Sequence, residues 1–151
     1  MSITVVGSVA LDTVETPQGT FEEGLGGAAT YFSLGASNYT DVHLVGIVGK
    51  DFPREHVDLL KSKHINLDGL EHADGKTFRW SGRYHDDVNI RDTLDTQLNV
   101  FEQFHPKLPA KARQAEYLFL GNIHPSLQLE VLEQAHQKFV ALDTMNLWIN
   151  T

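Results

Sequence analysis

One stretch of the sequence, residues 25–51, constrains the fold more than any other. It starts with the pair Gly26-Gly27 and continues through a run of small and apolar residues over 28–39. An apolar run over 42–48 follows. The first run predicts a buried helix, and the second has the length and composition of a buried strand. A helix followed directly by a fully apolar strand is typical of α/β proteins with a parallel sheet.

The same alternation of short apolar runs and longer helical segments continues along the chain. Strands are predicted over 3–6, 42–48, 117–120 and 139–142, and helices over 28–39, 52–63 and 126–137. Asp51 and Ser126 are of the residue types that cap helix N-termini. Within the last helix, Leu129, Leu132 and Ala135 are candidate core positions. We therefore expect an α/β architecture with a mainly parallel sheet flanked by helices.

The pattern changes between residues 76 and 104. Residues 77–84 alternate polar and large side chains, which favours a half-buried strand, and residues 97–101 are a candidate partner for it. Together with residues 13–24, we interpret this region as a small antiparallel β lid that projects from the main sheet.

The composition excludes several classes of protein. A chain of 151 residues can bury the core of one domain. The formal net charge of −8 argues against a nucleic-acid partner, because such proteins carry a basic face. No apolar run approaches the roughly 20 residues that cross a bilayer, and the N-terminus does not resemble a signal peptide. The eight histidines lack the spacing of a metal site. We predict a cytoplasmic protein with no membrane partner and no metal ligands.

Two features suggest a ligand site. Asp12 follows the first predicted strand, and in open α/β sheets ligands bind beyond the carboxyl ends of strands. Its carboxylate could accept hydrogen bonds from two adjacent hydroxyl groups, or it could be a solvated turn residue. Gly26 and Gly27 allow a ligand to approach the backbone at a helix N-terminus, or they form a tight turn.

A third interpretation uses the letters of residues 24–29, which satisfy the dinucleotide fingerprint G-x-G-x-x-A. That fingerprint must connect a buried strand directly to a helix. Because residues 20–23 make a poor buried strand, a nicotinamide-binding Rossmann domain is the weaker alternative.

Four segments together resemble the ribokinase-like (PfkB) sugar and nucleoside kinases. These are the G-S-x-x-x-D run of residues 7–12, the Gly26-Gly27 pair, the G-x-x-G-x-D run of residues 46–51, and residues 143–148, which contain the Asp, Asn and Trp of a stretch common in the sugar kinases. The resemblance extends over essentially the whole chain. It implies a ribokinase-like, Rossmann-type fold whose N-terminal half this chain represents, with the C-terminal half missing.

The resemblance also implies an activity and a set of site residues. The activity is ATP-dependent phosphorylation of a sugar or nucleoside hydroxyl, with ATP and Mg²⁺ bound mostly outside this chain. The family's catalytic Asp lies in a G-x-G-D segment, which this sequence lacks, so we expect no catalytic residue here. Tyr31 replaces the family's usual Asn. The substrate-binding residues are assigned as Asp12, Gly26, Gly27, Tyr31, Arg79, Asn122 and Asp143.

Two functions remain open at this point. The chain is the substrate-binding and lid half of a kinase, or it is complete and acts as a non-catalytic ligand-binding or assembly module. Cutting a doubly wound sheet exposes a strand edge, so we also expect a homo-oligomer formed through the lid or through that edge.

Overall fold

The computed structural model describes residues 1–145 and 148–149. Within them the strands are β1 (Ser2–Val6), β2 (Ala10–Thr16), β3 (Gly19–Gly26), β4 (Asp41–Gly49), β5 (Ile65–Ala73), β6 (Phe78–Tyr84), β7 (Arg91–Gln97), β8 (Tyr117–Leu120) and β9 (Phe139–Leu142). The helices are α1 (Ala28–Ala36), α2 (Arg54–Ser62), α3 (Ala110–Arg113) and α4 (Pro125–Gln134), with a short 3-10 helix at Asn99–Gln103.

These strands form two sheets. The first is fully parallel, with the order β5-β4-β1-β8-β9. The second, which we call the lid, has the order β3-β2-β6-β7. Its outer pairs are antiparallel, whereas β2 and β6 run parallel. The predicted α/β class, with a mainly parallel sheet and a small second sheet, is confirmed.

The core lies on both faces of the parallel sheet. Along β1, Val5 points into one apolar cluster and Val6 into the other, as the two-residue repeat of a strand requires. The first cluster contains Leu60 of α2, and the second contains Val131 of α4. Helices therefore cover both faces, which explains why the strands at the centre of this sheet are continuous apolar runs.

Several local predictions were wrong. Residues 97–101 do not form the partner of β6, because β7 at 91–97 takes that place and a 3-10 helix follows. Asp51 does not cap α2, whose N-cap is Pro53, and the cap of α4 is His124 rather than Ser126. The His124 ring accepts a hydrogen bond from the Ser126 backbone N–H. Pro125 is the first residue of α4, where its fixed φ suits the first turn, whereas Pro53 precedes α2 in an extended conformation.

No helix in the described ranges is both long enough and apolar enough to cross a bilayer.

The β9 edge is the most exposed apolar region of the parallel sheet. Phe139, Val140 and Leu142 are all exposed, and since neighbouring residues face opposite ways, both faces of β9 are uncovered. Leu129 and Leu132 of α4, which the sequence pattern assigned to the core, are exposed as well. The apolar sequence of β9 is typical of a strand that has neighbours on both sides, although β9 lies at the edge of the sheet.

We expect this edge to make the chain self-associate. The Phe139→Lys variant should weaken association by at least about tenfold, because it adds charge to an apolar contact. Sedimentation velocity over a range of concentrations measures this. Ile90→Lys is the matched control, because Ile90 is an exposed apolar residue in the turn between β6 and β7, away from β9. A chain that stays monomeric at high concentration would contradict the prediction.

Candidate substrate site

The start of α1 is fixed by the loop after β1. The Ser8 side-chain Oγ accepts a hydrogen bond from the Ala28 N–H at 3.0 Å, and the Ser8 carbonyl accepts one from the Ala29 N–H at 3.0 Å. Two of the N–H groups that a helix N-terminus leaves without partners are thereby satisfied. Gly27, the N-cap, has φ of 98°. A Cβ at this position would lie 2.3 Å from the Ser8 carbonyl oxygen.

The Asp12 side chain lies directly against Gly26. A Cβ on Gly26 would be 2.2 Å from the Asp12 Cγ, so only glycine leaves room for the carboxyl group. Glycine is thus required at the two positions for different reasons. The Gly27 backbone has a positive φ, and Gly26 leaves space for the Asp12 carboxyl group. Asp12, Gly26 and Gly27, all assigned from the sequence, come together at one point.

The carboxyl group of Asp12 is electrostatically unusual. Burial raises its pKa to about 6, while a backbone hydrogen bond from Gly27 acts in the opposite direction. Its Oδ1 atom is buried and accepts no hydrogen bond from any part of the chain that the structure describes. A buried acceptor without a partner is costly, and a ligand hydroxyl group could supply the missing hydrogen bond.

Tyr31 lies in the first turn of α1, which begins at Ala28. Its side chain is 64% exposed, and its hydroxyl donates a hydrogen bond to the Leu25 carbonyl at 3.0 Å. The hydroxyl is thus engaged with the backbone, and the ring remains the part of Tyr31 available to a ligand.

Arg79 does not join Asp12. In the β2–β6 register Asp12 is paired with Trp80, and Arg79 is paired with Leu11. Side chains of paired residues share a face, so Arg79 and Asp12 lie on opposite faces of the lid. Arg79 instead forms ion pairs with Glu23 and Asp51. The alternation along residues 77–84 could have indicated this, because neighbouring residues of a strand face opposite sides and only one of Arg79 and Trp80 can share the face of Asp12.

Asn122 and Asp143 follow β8 and β9 at the carboxyl edge of the parallel sheet. The Asn122 Oδ1 accepts a hydrogen bond from Trp148 Nε1 at 2.9 Å. The Asp143 Oδ1 accepts one from the Met145 N–H at 2.7 Å. Both polar groups are thus held by the segment after β9. Asn146, which belongs to the stretch resembling the kinases, lies outside the described residues.

This edge adjoins the start of α1. The Gly121 N–H, just after β8, donates to the Val6 carbonyl at 2.7 Å. A Cβ on Gly121 would lie 3.3 Å from the Cβ of Ala28. The ends of β1 and β8 and the α1 N-terminus therefore meet, which is where ligands bind in open α/β sheets.

The dinucleotide interpretation does not fit this geometry. Gly24 and Gly26 lie within β3, an antiparallel lid strand, and not in a loop between a parallel strand and a helix.

The described residues form no preformed cage for a metal ion. They contain no group of three or more acidic or histidine side chains close enough to bind a metal. Residues 99–102 have the letters N-x-x-E, a pattern that the resemblance to the kinases links to Mg²⁺. The Asn99 amide donates a hydrogen bond to the Thr77 carbonyl, and Glu102 is exposed.

Two open grooves of about 350 and 420 Å³ lie beside β5. Their linings include Asp68 and Leu70 but none of the assigned substrate residues.

No protein-family model matches the chain. A curated cytidine kinase from Thermococcus kodakarensis is 28% identical over 145 residues, which cover 95% of this chain and 51% of that protein. The chain thus spans about half the length of the curated relative that it matches.

Solved structures give the same coverage. The nucleoside kinase of Methanocaldococcus jannaschii, an archaeal member of the ribokinase family, has a TM-score of 0.75 at 20% identity, covering 96% of this chain and 52% of that one. The nucleoside kinase of Burkholderia thailandensis in complex with inosine has a TM-score of 0.77 at 17% identity, covering 95% and 51%. The ribokinase of Cryptococcus neoformans in complex with ADP has a TM-score of 0.77 at 18% identity, covering 96% and 51%. The resemblance is confirmed: this chain has the ribokinase-like fold and is similar, over nearly all of its length, to about half of a ribokinase-family nucleoside kinase.

Proposed function

We propose that the chain is the substrate-binding and lid part of an ATP-dependent kinase that phosphorylates a hydroxyl group of a nucleoside or sugar. The observation that carries the proposal is the buried, unpartnered Oδ1 of Asp12 beside Gly26 and Gly27. The cytidine kinase, the inosine-bound kinase and the ADP-bound ribokinase support the choice of substrate and of nucleotide.

In this proposal the chain binds and orients the substrate. Asp12 accepts hydrogen bonds from ligand hydroxyl groups, and the two glycines let the ligand approach the backbone. Asn122 and Asp143 line the same sheet edge, and the exposed Tyr31 ring borders it. The lid excludes water, which strengthens each polar contact beneath it. Phosphoryl transfer also needs a held nucleotide and charge stabilisation. We assign neither to the described residues.

A binding experiment tests the role of Asp12. We expect cytidine, inosine or ribose to bind this chain, and Asp12→Ala to weaken the affinity by at least about 100-fold through loss of charge-assisted hydrogen bonds. Isothermal titration measures the affinity. Asp41→Ala is the matched control, because Asp41 is an exposed carboxylate at the opposite, amino edge of the sheet.

These outcomes test the role of Asp12. Equal affinity in the Asp12→Ala variant would remove that role. Binding that depends on Asp12, without phosphate transfer from ATP, is expected of both functions that the sequence leaves open, because neither assigns a catalytic residue to this chain. Phosphate transfer by a longer polypeptide that joins this chain to a G-x-G-D segment would favour the kinase.

A further inference from the structure

Arg79 connects the lid to the loop after β4. Its Nε lies 2.9 Å from Glu23 Oε1 in β3, and its Nη1 lies 2.8 Å from Asp51 Oδ2. The Arg79 side chain is 21% exposed and that of Asp51 is 30% exposed, whereas Glu23 is 60% exposed. Because exposed pairs contribute little, the pair with Asp51 is the stronger of the two.

The second oxygen of Asp51 holds the chain where the lid begins. Asp51 Oδ1 accepts hydrogen bonds from the Thr77 N–H at 2.7 Å and from Thr77 Oγ1 at 2.8 Å. Thr77 is fully buried, and its Oγ1 accepts a hydrogen bond from the Gly49 N–H at 3.0 Å. Both carboxylate oxygens are therefore used, one by Thr77 and one by Arg79. Although burial opposes it, these bonds hold the pKa of Asp51 below its usual value.

The backbone around these side chains is tightly packed. A Cβ on Gly49 would lie 2.3 Å from the Gly75 carbonyl oxygen, and the Lys50 N–H donates to that same oxygen at 3.1 Å. The Thr77 carbonyl accepts hydrogen bonds from Arg79 Nη1 at 3.1 Å and from Asn99 Nδ2 at 2.9 Å. The entrance to β6 is thus fixed directly to the end of β4.

We propose that Asp51, Thr77 and Arg79 form a latch that fixes the lid to the parallel sheet, with Arg79 acting as a positioning residue. Asp51 belongs to the parallel sheet side, Arg79 belongs to the lid, and Thr77 marks the point where the chain passes between them. Asp12 is itself a residue of the lid strand β2, so Arg79 sets the position of Asp12 relative to the parallel sheet without facing it. This proposal is independent of the identity of the substrate.

The planar fork of arginine explains why this residue type is needed. The guanidinium group of Arg79 contacts two carboxylates and a carbonyl at once. The ammonium group of lysine has a single nitrogen and cannot make these three contacts in the same geometry. The Arg79→Lys variant keeps the charge and should therefore release the lid only partly.

Hydrogen exchange of the whole chain, followed by mass spectrometry, tests the latch. Asp51→Asn and Arg79→Met should accelerate exchange in β2, β3 and β6 by at least about tenfold, because local opening of the lid becomes easier. Exchange in β1, β4 and β8 should stay unchanged. Arg83→Met is the matched control, since Arg83 pairs with Glu15 at 2.7 Å entirely within the lid.

Three results would overturn the latch. The first is unchanged lid exchange in both latch variants. The second is an equal acceleration in the Arg83→Met control. The third is acceleration in β1 and β4 as large as in the lid, which would mean that these residues stabilise the whole fold. If either latch variant fails to fold, the milder Arg79→Lys variant provides the same comparison, with lid-specific acceleration expected.

Discussion

Gly27→Ala is expected to lower the free energy of unfolding by about 3 to 5 kcal/mol, combining backbone strain with a steric clash. The φ angle of 98° is one that residues with a Cβ rarely adopt. The new Cβ would also lie 2.3 Å from the Ser8 carbonyl oxygen, which itself holds the Ala29 N–H at the start of α1. Relief would require moving that helix start. Urea denaturation measures the change.

Gly35→Ala is the control for this substitution. Gly35 lies in the same helix and is exposed, and apart from the adjoining backbone of that helix no atom lies within 4 Å of an added Cβ. We expect a gain of about 0.5 to 1 kcal/mol, since alanine restricts the unfolded chain and favours the helix. Equal effects of the two substitutions would show that the Gly27 backbone does not require glycine.

Asp12→Asn is expected to make the protein more stable above pH 6, by about 1 to 3 kcal/mol. Burial raises the Asp12 pKa from 3.8 to about 6. Between these values the folded state holds a proton that the unfolded state has released. The free energy of unfolding of the unmodified protein therefore falls as pH rises from about 4 to 6. Above pH 6, where Asp12 is ionised in both states, it falls no further on account of Asp12. Because Asp12 is not fully buried, the full shift is an upper limit.

The measurement is urea denaturation of both proteins at pH 4 and pH 7.5. The difference between them should be largest at pH 7.5 and nearly vanish at pH 4, where Asp12 is protonated in the folded state. Asp41→Asn, at an exposed carboxylate, is the control substitution. A difference independent of pH would mean that the charge of Asp12 carries no folding cost. A variant that is more stable yet binds ligand poorly would show that stability is sacrificed for binding.

The sequence predicts the strands with continuous apolar runs well, including the edge strand β9 at 139–142, and predicts the polar strands poorly. β1, β4 and β8 were recognised because the core covers both of their faces and their apolar runs are continuous. β5 was missed, since its sequence INLDGLEHA has charged residues at exposed positions. β7, with the sequence RDTLDTQ, is exposed throughout and carries no apolar signal.

The candidate site divides in the same way. Asp12 and the two glycines could be predicted because strand ends and glycine pairs are visible locally. The partners of Asp51 could not, because the capping rule is local and Thr77 lies 26 residues further along the chain. A carboxylate next to a helix start satisfies the capping pattern whether it bonds the helix or a distant strand.

The parallel pairing of β2 with β6 has a consequence for how the protein is made. Ala10 pairs with Phe78, and the difference of 68 positions includes β4, α2 and β5. On the ribosome the chain grows from its N-terminus, so β2 and β3 emerge well before β6, as a hairpin that is only marginally stable in water. Closing so long a loop is slow. A nascent chain that stops short of β6 would therefore carry the α1 helix and both glycines without a formed surface around Asp12, making this site among the last parts of the chain to become native.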